Sequence, residues 1–270
     1  MLRLEEIHKT FNPGTANEVR ALAGVSLAFD PGSFTVVIGT NGSGKSTLQG
    51  AVGGAFPLDA GRIVVDGSDV TDWPEHRRAR LVGRVFQDPF AGTAPGLTVA
   101  ENLALASNRG GWRTLRPLLR GADRGRWREL LAQIGLGLER RLDDPIGLLS
   151  GGQRQSITLV MATLTNPPVL LLDEHTAALD PRSAELVIGL TARLVARSSA
   201  TTIMVTHSMQ QAATLGDRLV AMHRGRVYLD VAGAEKRRLT ERELLGLFGQ
   251  MRRDDRFDDA AVELVRAQYR

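Results

Sequence analysis

The sequence predicts an α/β fold: a mostly parallel sheet between helices, an antiparallel β layer beside it, and an inserted helical subdomain. Three observations carry this expectation. Four short apolar runs, Phe34–Ile38, Val82–Phe86, Val169–Leu172 and Thr202–Thr206, do not alternate, which is the pattern of strands buried on both faces. Residues 1–30 and about 61–70 instead hold short alternating segments with turns such as Asp66-Gly67, and these predict the antiparallel layer. Residues 91–165 show no strand pattern and read as helices over Val99–Ala106, Arg124–Ile134 and Gln153–Leu164, inserted between two core strands.

Each apolar run is followed by a polar residue able to do chemistry: a glycine-rich loop, then Gln87, then Asp173 with Glu174, then His207. Open α/β sheets bind ligands at the carboxyl ends of their strands, so the four positions are expected to share one site. Late in the chain, Leu219–Met222 and Arg226–Val231 flank an Arg224-Gly225 turn and read as a hairpin. Thr240 and Glu243 form a capping box for a helix through Phe248, and a charged amphipathic segment runs from Asp258 to Tyr269. These features divide the chain into a main domain over residues 1–233 and a C-terminal helical extension over 234–270.

Composition narrows the function. At 270 residues the chain can bury a full core. It has no cysteine, which excludes disulfides, thiolate metal sites and zinc-dependent nucleic-acid modules. A net charge of +4 is modest, and no nucleic-acid partner is expected. No apolar stretch approaches the roughly 18 residues that cross a bilayer, and Met1–Thr10 is too evenly mixed for a signal peptide. The expected location is the cytoplasm, unless a partner holds the protein at a membrane.

The glycine-rich loop reads Gly39-Thr40-Asn41-Gly42-Ser43-Gly44-Lys45-Ser46-Thr47, with an apolar strand before it and helix-compatible residues after it. A strand-to-helix turn of this kind points backbone N–H groups and a helix N-terminus at phosphate oxygens. Lys45 adds a point charge near the outer phosphates, and Ser46 offers its hydroxyl to Mg²⁺. The chain has only three lysines, and one stands here. Downstream, Pro168-Val169-Leu170-Leu171-Leu172-Asp173-Glu174 is an apolar strand ending in two carboxylates. Beside a phosphate loop, such a pair can supply a Mg²⁺-coordinating aspartate and a base that activates water; alone, it would be a solvated acidic turn.

A third motif, Leu149-Ser150-Gly151-Gly152-Gln153-Arg154-Gln155, resembles the signature of ATP-binding-cassette (ABC) ATPases. Ser150 and Gln153 also form a capping box ahead of an apolar helix, and the two readings are compatible. Together the motifs make roughly residues 2–232 resemble an ABC ATPase domain, implying a P-loop NTPase (RecA-like) core. The resemblance makes Gly39 to Thr47 the Walker A loop. It likens Gln87 to the glutamine that senses metal and γ-phosphate, Asp173 and Glu174 to the Walker B aspartate and catalytic glutamate, and His207 to the switch histidine. It implies that Ser150, Gly151, Gly152 and Gln153 meet ATP held by a second, head-to-tail copy of the chain.

Two further assignments have rival readings. Phe11 lies where family members stack an aromatic ring on adenine, and a core phenylalanine is the alternative. Asp180 matches the D-loop aspartate, yet Asp180-Pro181 is equally a helix start. His175 departs from the family, which usually has proline there. An imidazole can titrate near neutral pH, or the residue is loop variation without a catalytic role. Arg109 to Arg128 carries seven arginines and one acid, Asp123, with Trp112 and Trp127 nearby. It reads as a solvated surface or as a contact for anionic lipid.

The resemblance implies the ATPase subunit of an ABC transporter, using ATP and Mg²⁺ at the cytoplasmic face of the cell membrane. Its expected partners are a second ATPase subunit, an integral membrane permease and a solute-binding protein. A single cassette with this insert looks most like a bacterial importer subunit for amino acids or similar small solutes. An exporter ATPase is the nearest rival. A soluble translation factor would usually carry two cassettes, and a DNA-repair cassette a coiled-coil insertion or zinc cysteines.

Overall fold

In the computed structural model, which describes residues 1–109 and 121–249, the four apolar runs become neighbouring parallel strands. The chain begins with β1 (Leu2–Phe11) and β2 (Val19–Phe29), then β3 (Phe34–Gly39) and α1 (Lys45–Gly53). Next come β4 (Ala60–Val65), β5 (Ser68–Asp69), α2 (Glu75–Arg78) and β6 (Val82–Val85). The helical region supplies α3 (Val99–Ser107), α4 (Gly121–Ala132) and α5 (Gly151–Thr163). It is followed by β7 (Val169–Asp173), α6 (Pro181–Arg197), β8 (Thr201–Val205) and α7 (Met209–Thr214). The hairpin β9 (Arg218–His223) and β10 (Arg226–Ala232) leads to α8 (Gly233–Arg238) and a helix over 241–249.

A six-stranded sheet has the order β10-β9-β3-β8-β7-β6, parallel except for the edge strand β10. A second sheet, β2-β1-β4-β5, is antiparallel throughout, as the alternating segments predict. The chain leaves the middle of the large sheet after β3 and returns from the β6 edge through β7 and β8. The crevice at the carboxyl ends of β3, β8 and β7 is therefore a switch point, where ligands bind in such sheets.

Each inner strand faces two cores, which explains why it does not alternate. Val169 and Leu171 point towards the antiparallel sheet and α1, whereas Leu170 and Leu172 point towards α3, α4 and α5. In β3, Val37 joins the first of these cores, while Val36 and Ile38 pack with α7, Val231 and Leu244. Burying one such side chain contributes about 1.5–3 kcal/mol, so a charge on either face would open a core.

Several boundaries differ from the sequence reading. β6 stops at Val85, before Phe86, and the middle helix of the insert starts earlier, at Gly121. Trp127 is buried in the helical core, which assigns it to packing. The Thr240 capping box forms as expected, with Thr240 N–H donating to Glu243 Oε2 at 2.8 Å and Glu243 N–H to Thr240 Oγ1 at 3.3 Å. Trp112, much of the arginine-rich stretch and the segment Asp258–Tyr269 lie outside the described residues.

Candidate functional site

Glycine is required at both ends of the loop between β3 and α1. A Cβ on Gly39 would lie 2.4 Å from both the Met222 carbonyl oxygen and Ser43 Oγ. Gly44 has φ 100°, and a Cβ there would lie 2.4 Å from the Ala21 carbonyl oxygen. The loop is pinned to its surroundings by backbone bonds: Gly225 N–H donates to Ser43 O at 3.0 Å, and Ala23 N–H donates to Gly225 O at 2.9 Å. Gly44 is the N-cap of α1 and supplies no side-chain cap, so the first N–H groups of that helix stay open to an anion. Lys45 is buried, with Nζ donating to the carbonyls of Gly39 and Thr40, each at 2.9 Å. Burial pulls its pKa below the ordinary lysine value, against the opposing attraction of Glu174 and Asp173.

Those two carboxylates sit at the end of β7, next to β8. Glu174 N–H donates to the Val205 carbonyl at 3.0 Å, and the residue has φ 43°. This left-handed backbone is uncommon outside glycine and costs on the order of 1–3 kcal/mol, as is usual for strained functional positions. The Glu174 side chain is 12 % exposed, and its Oε1 lies 2.7 Å from His207 Nε2. Burial raises the Asp173 pKa above the usual carboxylate value, partly offset by Arg84, whose Nη2 stands 3.5 Å from Asp173 Oδ2. Gln87 is exposed two residues beyond β6 and makes no hydrogen bond among the described residues.

Three supporting interactions escaped the sequence reading. Gln49, fully buried one turn after Lys45, donates to the carbonyls of Leu172 at 3.0 Å and Ile203 at 3.3 Å, tying α1 to β7 and β8. Arg84 carries the second; its one visible signal was a charge inside an otherwise apolar strand. The third is a chain in which Thr206 Oγ1 donates to Gln211 Oε1 at 2.6 Å and Gln211 Nε2 donates to Thr176 Oγ1 at 3.3 Å. It holds the His207 loop against the loop after Glu174.

The Ser150–Gln153 segment lies elsewhere. Ser150 caps α5 by accepting from Gln153 N–H at 3.3 Å, and Gln153 Oε1 accepts from Ser150 N–H at 3.2 Å. Gly152 has no room for a side chain, since a Cβ would come within 2.7 Å of Ser183. Ser183 N–H in turn donates to Asp180 Oδ1 at 3.0 Å, so the signature packs beside the start of α6. Hydrogen bonding by Ser183 lowers the Asp180 pKa. No described contact joins Ser150 to the phosphate loop of the same chain. Phe11 is half-buried, edge-on to Phe56 with centroids 5.2 Å apart, and Lys9 Nζ lies 5.6 Å from its ring centre.

Of the two readings of His175, the structure removes titration near neutrality. The residue is buried, with Nε2 2.9 Å from Thr191 Oγ1, and desolvation pushes its pKa down to about 4. Because the Thr191 hydroxyl already donates to the Val187 carbonyl at 2.8 Å, the histidine Nε2–H must be the donor between them.

A phosphate loop and an acidic strand end on near-neighbour parallel strands are the arrangement of P-loop nucleoside triphosphatases, and this fold is one of them. Within that class the chain belongs to the ABC transporter family, whose model matches residues 22–177. It is an ATPase subunit of the kind that powers transport. It is 44 % identical over 250 residues to a tyrosine transport ATP-binding protein of Clostridioides difficile, covering 92 % of this chain and 98 % of that one. It is 36 % identical to a lipoprotein-releasing system ATP-binding protein of Caulobacter vibrioides, over 79 % of this chain and 88 % of the other. Among solved structures it is similar to a dimeric ATP-binding cassette in a post-hydrolysis state bound to ADP and Pi. There the TM-score is 0.72 at 29 % identity, covering 86 % of this chain and 98 % of that one. No helix among the described residues is long and apolar enough to cross a membrane.

Proposed function

We propose that two copies of this chain pair head-to-tail, enclose two ATP molecules, and drive import of an amino acid or similar small solute through a separate membrane permease. The observation that carries this reading is the convergence of Lys45, Asp173, Glu174 and His207 at the carboxyl ends of β3, β7 and β8, with Glu174 and His207 2.7 Å apart. In this reading Lys45 leaves the loop carbonyls for the phosphates, which take the place of its two hydrogen-bond acceptors. The loop N–H groups from Thr40 to Thr47 cradle the phosphate chain, and Phe11 stacks on the base. Glu174 takes a proton from water as the water oxygen attacks the γ-phosphorus in line and the bond to the ADP oxygen breaks. His207 holds Glu174 and the γ-phosphate in place.

The donor set suits Mg²⁺. Mg²⁺ in nucleotide sites is held through one or two carboxylates together with neutral oxygen donors, phosphates and water, and Asp173 stands here as the partly buried carboxylate at the end of β7. Asp173, Ser46 and Gln87 would supply that share, and the ion would neutralise charge on the phosphates. The second copy contributes Ser150, Gly151, Gly152, Gln153 and Asp180 to each site.

Import of an amino acid is supported by the higher identity to the relative named for tyrosine transport. Export is the second reading, supported by the relative named for lipoprotein release. A solute-binding protein would deliver the cargo on the outer side, with this chain at the cytoplasmic face of the membrane. Glu174→Gln tests the central step: with ATP and Mg²⁺ the variant should sediment as a stable dimer that holds unhydrolysed nucleotide. Monomers at saturating ATP would sink the shared-site reading. Uptake and efflux of labelled amino acids by the reconstituted complex separate the two directions.

A further inference from the structure

A cleft of about 210 Å³ opens between α4, the end of α5 and α6, away from the nucleotide residues. Its floor is apolar, formed by Leu130, Val160, Leu164, Leu190 and Leu194. Its rim carries three guanidinium groups: Arg126 from α4, with Arg193 and Arg197 one turn apart on α6. No carboxylate lines it.

Two arginines near the cleft are paired, Arg124 with Asp143 at 2.6 Å and Arg141 with Asp144 at 2.7 Å. Arg126 and Arg193 have no ion pair among the described residues. Arg197 is anchored from the opposite side, donating from Nη1 to Gln133 Oε1 at 3.0 Å, and this bond spans the cleft. Like charges one turn apart on a helix repel, and the third cation faces the same space. An anion relieves that repulsion, and bidentate guanidinium contacts match a planar carboxylate. The floor needs an apolar body, and the volume is below the roughly 300–1,000 Å³ of drug-sized pockets.

We infer that this cleft binds a small organic anion, a single-ring or short-chain apolar body bearing one carboxylate. The ligand would sit with its body on Leu190 and Leu194 and its carboxylate between Arg193 and Arg197. It would bridge the helical insert to α6.

Calorimetric titration of the purified full chain, without nucleotide, with 3-phenylpropionate tests this. One molecule should bind per chain. The neutral 3-phenylpropionamide and inorganic phosphate should each bind about tenfold or more weaker, because one lacks the charge and the other the apolar body. Arg193→Gln with Arg197→Gln should weaken the carboxylate about tenfold or more, with the ATP affinity unchanged. The proposal is overturned by absent binding, by equal affinity for the amide or for phosphate, or by an unaffected double variant. Displacement of the probe by ATP would also overturn it, since the probe would then occupy the nucleotide site.

Discussion

The phosphate loop and the signature segment are both glycine-rich helix starts, and they are finished in opposite ways. At α1 the N-cap is Gly44, no side chain closes the helix end, and buried Lys45 sits beside two carboxylates and a histidine. At α5 the N-cap is Ser150, and a reciprocal capping box with Gln153 satisfies the N–H groups of Ser150 and Gln153. The first end therefore keeps open donors and an unbalanced electrostatic site, which suits binding and chemistry. The second carries a side-chain cap and rests on Ser183 and the Asp180 loop. Two glycine-rich turns thus differ in one decisive respect: whether the fold supplies the helix end with its own cap. In the proposed dimer the open end would act on the nucleotide of its own chain, and the side-chain-capped end would present backbone to the nucleotide of the other copy.

This contrast can be broken most strongly at Glu174. Glu174→Gln removes the proposed base but keeps shape, and phosphate release should fall by about 10²–10⁴ while ATP still binds. Wild-type turnover would mean that the open end does not do the chemistry.

His175 gives the next largest effect, since it ties the chemical end to α6, whose N-cap touches the signature. Its pKa is about 4 in the fold against an ordinary 6.5, so only the unfolded chain takes up this proton as pH falls below neutrality. The stability it supports is full above pH 6.5 and is lost progressively as pH falls towards 4, by about 3 kcal/mol. Urea unfolding across that range should show a steeper loss for wild type than for His175→Gln. Equal slopes would show that the imidazole is solvated.

Gly44→Ala forces a side chain into a left-handed position against the Ala21 carbonyl. It should lower unfolding free energy by about 1–3 kcal/mol and weaken ATP binding, as read by denaturant titration and nucleotide fluorescence. A variant with unchanged affinity would show that the loop tolerates distortion.

The smallest effect sharpens the comparison best. Ser150→Ala and Asp180→Ala each remove a helix cap and should each lower the unfolding free energy, Ser150→Ala by about 1 kcal/mol. If the signature serves a second copy's nucleotide, Ser150→Ala should also slow ATP turnover at saturating protein. Equal stability loss with full turnover would reduce Ser150 to a cap.

Much of this was legible along the chain. Four unalternating runs gave the buried strands because each residue parity meets its own core, and Asp173, Glu174 and His207 were readable because they follow those runs directly. Gly39 to Thr47 was readable because a local turn carries the chemistry. Arg84 and Gln49 were not, because their partners lie across the sheet: Asp173 for Arg84, and Leu172 and Ile203 for Gln49. His175 shows the limit clearly. Its residue type suggested a group near neutrality, and only its burial against Thr191 moved it to about 4.

The sequence by itself determined what is local. Strand periodicity, the glycine loop, the capping boxes at Ser150 and Thr240, and each motif that marks the family rest on residues within a few positions of one another. The tertiary structure alone decided which charges meet, which are desolvated and which stay unpaired. Electrostatic energy depends on distance and burial in space, and separation along the chain does not encode either. That is why the Glu174–His207 contact and the three arginines around the α4–α6 cleft appear only once the helices have packed.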